Sequence, residues 1–153
     1  MAVDVNILKS ISIFDDICSS NLHKLSSLIY PVKVSEEEVL IRKKNPAHSL
    51  YIIMSGNFMV SFKDGRGYTL HDRGDIIGWS SFITPFKYKG TSVALTDGEV
   101  LSIHSRKLQG LIQENAELAT QFLEKINSII LDRLQFIYAN PLSRHEVASE
   151  PSA

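Results

Sequence analysis

The chain is poorest in cysteine, in tryptophan and in any excess of one charge. Its only cysteine is Cys18, which excludes an internal disulfide and any zinc site built on several thiolates. A single thiol also fits a reducing compartment. Cys18 is flanked by Ile17 and Ser19, with no neighbouring cation in the sequence to favour the thiolate, and reads as a buried or half-buried structural thiol. Lys and Arg total 16 against 17 Asp and Glu, a formal charge of −1 over 153 residues. That balance matches neither a basic nucleic-acid module nor an acidic disordered tail, although a local patch can survive it. No run approaches the roughly 20 apolar residues of a membrane span, and no basic segment precedes an apolar one at the N-terminus. The expectation is a soluble, cytoplasmic protein of one domain, with no membrane partner.

The usual signatures of catalysis are also missing. There is no Gly-x-Ser-x-Gly elbow, no P-loop and no Gly-x-Gly-x-x-Gly phrase. Gly65-Arg66-Gly67 belongs to a hairpin loop. His48, His71 and His104 raise the alternative of a cupin-like metal enzyme, but they fall on separate segments and no His-x-His pair occurs. The expectation is therefore no enzyme, no metal and no cofactor.

What the chain does have is a helix–strand–helix zoning. In residues 4–29, Val5, Ile7, Leu8 and Ile11 recur in a first apolar piece. Ser20 is placed to cap a second piece carrying Leu22, Leu25, Leu28 and Ile29. Residues 30–104 read as short strands at 30–34, 39–42, 50–54, 58–62, 68–71, 91–94 and 100–104. Asn45-Pro46, Ser55-Gly56-Asn57, Asp64-Gly65, Arg73-Gly74-Asp75 and Asp97-Gly98 supply the turns between them. Residues 105–140 turn helical again, with Ser105 as a cap. A long stripe follows through Leu118, Phe122, Ile126, Ile129, Ile130, Leu134 and Ile137. Asn140-Pro141 ends that helix, and residues 141–153 read as a disordered tail. This spacing predicts an antiparallel sandwich or roll between helices.

The stretch 74–90 reads neither as strand nor as ordinary turn. Glycines bracket it, Ser80 and Ser81 suit a short helix start, Thr84-Pro85 stops it, and Lys87 and Lys89 follow. On residue chemistry alone it is either a pocket for a small anionic group or a solvated surface connection.

From about Ile7 to Leu134 the chain resembles the cyclic nucleotide-binding domains of bacterial catabolite-activator-type regulators. The resemblance rests on the order of several phrases. They are Glu38-Val39-Leu40-Ile41, the run from Asn45 to Gly56, Gly74-Asp75-Ile76-Ile77-Gly78, Ala94-Leu95-Thr96-Asp97 and the final strand from Val100 to Ile103. It implies a mainly β fold with flanking helices: an antiparallel β-roll of the jelly-roll (double-stranded β-helix) type, with N-terminal helices and a long C-terminal helix. Residues 1–140 form that single domain. Gly78, Trp79, Ser80, Ser81, Lys87, Tyr88, Lys89 and Gly90 then mark a phosphate-binding cassette, and the stripe from Leu118 to Ile137 marks a homodimer helix.

The cassette departs from the family pattern at its chemistry. Binders carry a Glu after the glycine matching Gly78, where this chain has Trp79. Their phosphate-pairing Arg falls near Tyr88, and no arginine lies between Arg73 and Arg106. Lysines at 87 and 89 offer point charges rather than a bidentate fork. Cyclic AMP and cyclic GMP are thus expected to bind weakly or not at all. Trp79 either stacks on a flat ligand or fills the pocket. The expected role is a regulatory, signal-transducing module that takes a small anionic or nucleotide-like ligand and reports to another protein. The alternative is a ligand-free interaction module. Residues 142–153 are too few and too polar for the helix-turn-helix that follows the long helix in related transcription factors, so no direct DNA binding is expected.

Overall fold

The structure, a computed structural model, describes residues 2–41, 48–62, 65, 67–78 and 90–139, the side chains of 130 and of 133–139 excepted. Helix α1 (Val5–Lys9), a 3-10 turn (Ser12–Phe14) and α2 (Ser19–Ser26) precede eight strands. These are β1 (Ile29–Val34), β2 (Val39–Ile41), β3 (Ser49–Ser55), β4 (Phe58–Phe62), β5 (Gly67–Leu70), β6 (Ile76–Ile77), β7 (Gly90–Ala94) and β8 (Gly98–His104). Helices α3 (Ser105–Glu114) and α4 (Ala116–Ala139) follow. The strands form two four-stranded sheets, ordered β1-β8-β3-β6 and β2-β7-β4-β5. Every pairing in them is antiparallel, as the short alternating runs require.

The first sheet is apolar on both faces. Along β3, Leu50 and Ile52 join one core with the helices, while Ile53 joins a second core between the sheets. Along β8, Leu101 and Ile103 face the helices and Val100 faces the other sheet. Successive side chains of a strand point to opposite faces, so such strands must be covered twice. The second sheet covers one face with Ile41, Phe58, Val60, Tyr68, Leu70 and Ala94. The helices cover the other with Leu8, Phe14, Leu22, Leu25, Leu108, Leu118, Phe122 and Ile126.

Helix α4 is held at its start. Asn115, at φ −140° and ψ 96°, breaks α3 from α4. Its side-chain oxygen accepts the Leu118 amide at 3.0 Å, and its amide group donates to Asn21 Oδ1 at 2.7 Å. Asn21 is itself buried on α2, so this bond satisfies a polar group the core would otherwise penalise. One turn on, the Phe122 ring stacks on Phe14, with centroids 6.0 Å apart and planes at 21°. Leu118, Phe122 and Ile126 are therefore covered inside their own chain, without a second copy. Ile129 is half-buried against the same core, and the Ile130, Leu134 and Ile137 side chains lie outside the described residues.

Three local expectations are corrected. Cys18, not Ser20, occupies the N-cap of α2, because the helix begins at Ser19, two residues earlier than a Ser20 cap would place it. His104 occupies the N-cap of α3, and Ser105 becomes its first helical residue, its N–H donating to the His48 carbonyl at 2.9 Å. Ile76 and Ile77 form a strand inside the stretch read as irregular, pairing with Ile52 and Tyr51 of β3.

Burial ranks the contacts of α4. Phe122→Ala removes a fully buried ring and is expected to cost about 3–5 kcal/mol. Lys125→Ala breaks a 3.6 Å ion pair with Asp16, whose side chain is 82% exposed, and is expected to cost less than about 1 kcal/mol. Urea unfolding of both variants checks the ranking.

Candidate functional site

The cassette is framed at each end by a glycine with a physical reason to be there. At its start, β6 is clamped to β3: the Gly74 N–H donates to the Ile53 carbonyl at 2.7 Å, and the Ile53 N–H donates to the Asp75 carbonyl at 2.8 Å. Gly78 then turns the chain off β6 at φ +86°, a conformation that side chains with a Cβ rarely adopt. At the far end, Gly90 opens β7 directly against β4. A Cβ there would meet the Ser61 carbonyl oxygen at 2.8 Å and the Phe62 ring at 3.2 Å. The chain thus leaves the edge of the first sheet at Gly78 and re-enters an inner strand of the second at Gly90. Trp79, Ser80, Ser81, Lys87, Tyr88 and Lys89 lie outside the described residues.

The strand receiving the cassette is small on its inner side. Gly90, Ser92 and Ala94 alternate inward on β7, where β2 and β4 present Ile41, Phe58 and Val60. Ser92 is a buried polar residue among these apolar neighbours, registered against Ile41 and Val60. Phe62, which touches the Gly90 position, meets Tyr68 of β5 with ring centroids 5.7 Å apart. Sequence reasoning passes over Ser92, Phe62 and Tyr68. The only available signal was the period-two alternation of small residues from Gly90 to Ala94. Arg73, the nearest arginine before the cassette, donates to the Ser10 hydroxyl at 2.7 Å.

Other titratable groups stand apart from this frame. His71 lies exposed beside Asp72 at 3.5 Å, while His48 and His104 flank the start of β3 and the end of β8. Among the described residues no group of three or more His, Cys, Asp or Glu is placed to hold a metal ion. Cys18 corrects the sequence expectation, because its thiol is exposed. Its place at the N-cap of α2 turns the side chain outward toward the first turn. The Ser20 hydroxyl, 3.4 Å away, and then the Asn21 backbone N–H hold its pKa below the ordinary thiol value; slight desolvation and then the Glu117 carboxylate act the other way.

The model of the family described as cyclic nucleotide-binding domain matches residues 31–115. The anaerobic regulatory protein of Bacillus subtilis (strain 168) is 33% identical, across 78% of this chain and 56% of its own length. The chain thus spans little more than half of that relative. A cyclic nucleotide-binding-type protein of Geobacter metallireducens superposes with a TM-score of 0.79 at 18% identity, over 86% of this chain and 98% of its own. The regulatory subunit of a cAMP-independent protein kinase A from Trypanosoma brucei superposes with a TM-score of 0.65 at 18% identity, over 86% of this chain and 44% of its own.

The Cys18 environment has a direct readout. Alkylation by iodoacetamide is expected to reach half its limiting rate at a lower pH than alkylation of the same cysteine in the urea-unfolded chain. In Ser20→Ala that midpoint is expected to rise, because the main stabiliser of the thiolate is removed. A midpoint unchanged by the substitution would contradict the cause assigned.

Proposed function

The chain belongs to the cyclic nucleotide-binding domain family, and on that footing we propose that it is a non-catalytic regulatory module with a degenerate cassette. Cyclic AMP and cyclic GMP bind it weakly or not at all. The observation that carries this reading is the substitution pattern within a family match: Trp79 follows Gly78, and no arginine occurs between Arg73 and Arg106. A ribose hydroxyl loses its carboxylate acceptor, and a cyclic phosphate loses its bidentate partner. The glycine frame at Gly78 and Gly90 is retained, so the cassette can still take a different small anion or hold a fixed shape. The cAMP-independent kinase subunit from Trypanosoma brucei, alike in fold, is consistent with such a role.

The regulatory step we assign to α4. Leu118, Phe122 and Ile126 anchor its first half to the roll, and the stripe continues through Ile130, Leu134 and Ile137. A second copy packing along that later part makes a homodimer. A ligand or partner at the cassette then acts by favouring one packing of α4 over another, which requires different affinities for the two states. Another protein receives the output, in the cytoplasm. The ligand-free interaction module is the second reading, favoured if Trp79 fills the cassette.

Isothermal titration with cyclic AMP and cyclic GMP tests the proposal. The expected result is no saturable binding in the low-micromolar range for either nucleotide. A low-micromolar affinity would overturn it. A thermal-shift series over nucleotides and small anions separates the two readings, since only a ligand-binding cassette raises Tm with ligand concentration.

A further inference from the structure

We infer that the groove between α2 and α3 is a docking surface for a partner protein, and that the partner presents an acidic helix with an apolar stripe. The groove has a volume of about 410 Å³ and lies on the helical side of the roll. Lys24 and Leu28 line it from the end of α2 and the link to β1. Lys107, Gly110, Leu111 and Glu114 line it from one face of α3 at the spacing of successive turns.

Three features point to this occupant. Glycine is a poor residue for a helix interior, yet Gly110 sits there with nothing among the described residues, its own helix backbone aside, within 4 Å of where a Cβ would be. Packing inside this chain therefore does not require the glycine. An open helix face without a side chain does allow a second helix to approach closely. Leu28 and Leu111, both half-buried, supply an apolar floor on either side. Lys24 and Lys107 stand exposed on the rim, and neither takes part in an ion pair among the described residues. Two lysines thus line the groove against one carboxylate, that of Glu114, in a chain whose net charge is −1. Glu114 lines the groove from the last residue of α3, next to the Asn115–Asn21 bond, and a guest's acidic residues would pair with the two lysines. The apolar floor favours a protein helix over a nucleic-acid backbone, which would seek cations along its whole track.

The inference rests on the reading that another protein receives the output, but not on what the cassette binds. It is tested on the full chain by ¹⁵N NMR with three probes: a short acetylated helical peptide of Glu, Ala and Leu, its Lys-for-Glu counterpart, and an oligothymidylate. The acidic peptide is expected to perturb residues 24–28 and 107–114 and to saturate below millimolar concentration. Gly110→Leu, for which the fold has open space, is expected to weaken binding roughly tenfold or more, as is the pair Lys24→Glu with Lys107→Glu. Gly110→Ala is expected to raise Tm by roughly 3 °C while weakening the peptide, a combination that a purely structural glycine would not give. The inference is overturned by perturbations elsewhere, by none at millimolar peptide, by an equal response to the basic peptide, by tighter binding of the oligothymidylate, or by a Gly110→Leu variant that binds as before. Any of these leaves the cassette proposal standing, because nucleotide titration reads the cassette alone.

Discussion

A β-sheet that is apolar on both faces must be covered twice, and the sheet β1-β8-β3-β6 is the constraint from which the rest follows. Val100 and Leu101, adjacent on β8, are both buried but belong to different cores. One core requires the second sheet and so closes the roll. The other requires helices, and elements from both ends of the sequence meet there: Phe14 from the N-terminal segment stacks on Phe122 of α4. Each buried side chain of this size contributes roughly 1.5–3 kcal/mol. The Asn21–Asn115 bond adds direction to that apolar contact, fixing where α3 ends and α4 begins. Elements far apart in sequence thereby become one packed unit, tied at the start of α4 to α2 through that bond.

The same constraint places the cassette. Its frame leaves the doubly covered sheet at β6 and re-enters the second sheet at β7. Gly78 permits the exit by its left-handed backbone, and Gly90 permits the return by having no side chain against Ser61.

The zoning was legible because alternation, turn residues and helical spacing agree with one another along the chain. Asp97-Gly98 and Gly74-Asp75 mark real turns, and the start of α4 at Ala116 follows from its stripe. Failures were local and have physical causes. A two-residue strand such as Ile76–Ile77 is too short to show a period, and its pairing with β3 comes from the fold. Ser20 and Ser105 look like caps, but neighbouring residues are equally able to sit at the helix boundary, and tertiary packing chose Cys18 and His104. Residue type alone reads Cys18 as buried or half-buried, whereas the structure exposes it at the N-cap of α2. The apolar stripe of α4 was visible, but periodicity does not say who covers it: Leu118, Phe122 and Ile126 meet their own roll. At the cassette the bracketing glycines were readable from sequence. The inward row Gly90, Ser92, Ala94 carries no hydrophobic signal, because its members are small and its middle one is polar.

The division of α4 into a half bound to its own roll and a half that a second copy would cover can be read residue by residue. Amide hydrogen exchange along the helix, followed over a range of protein concentrations, makes the distinction. Protection at residues 118–126 is expected to be high and independent of concentration, while protection at residues 130–139 rises as the protein is concentrated. Uniform protection along the whole helix, unchanged on dilution, would contradict it.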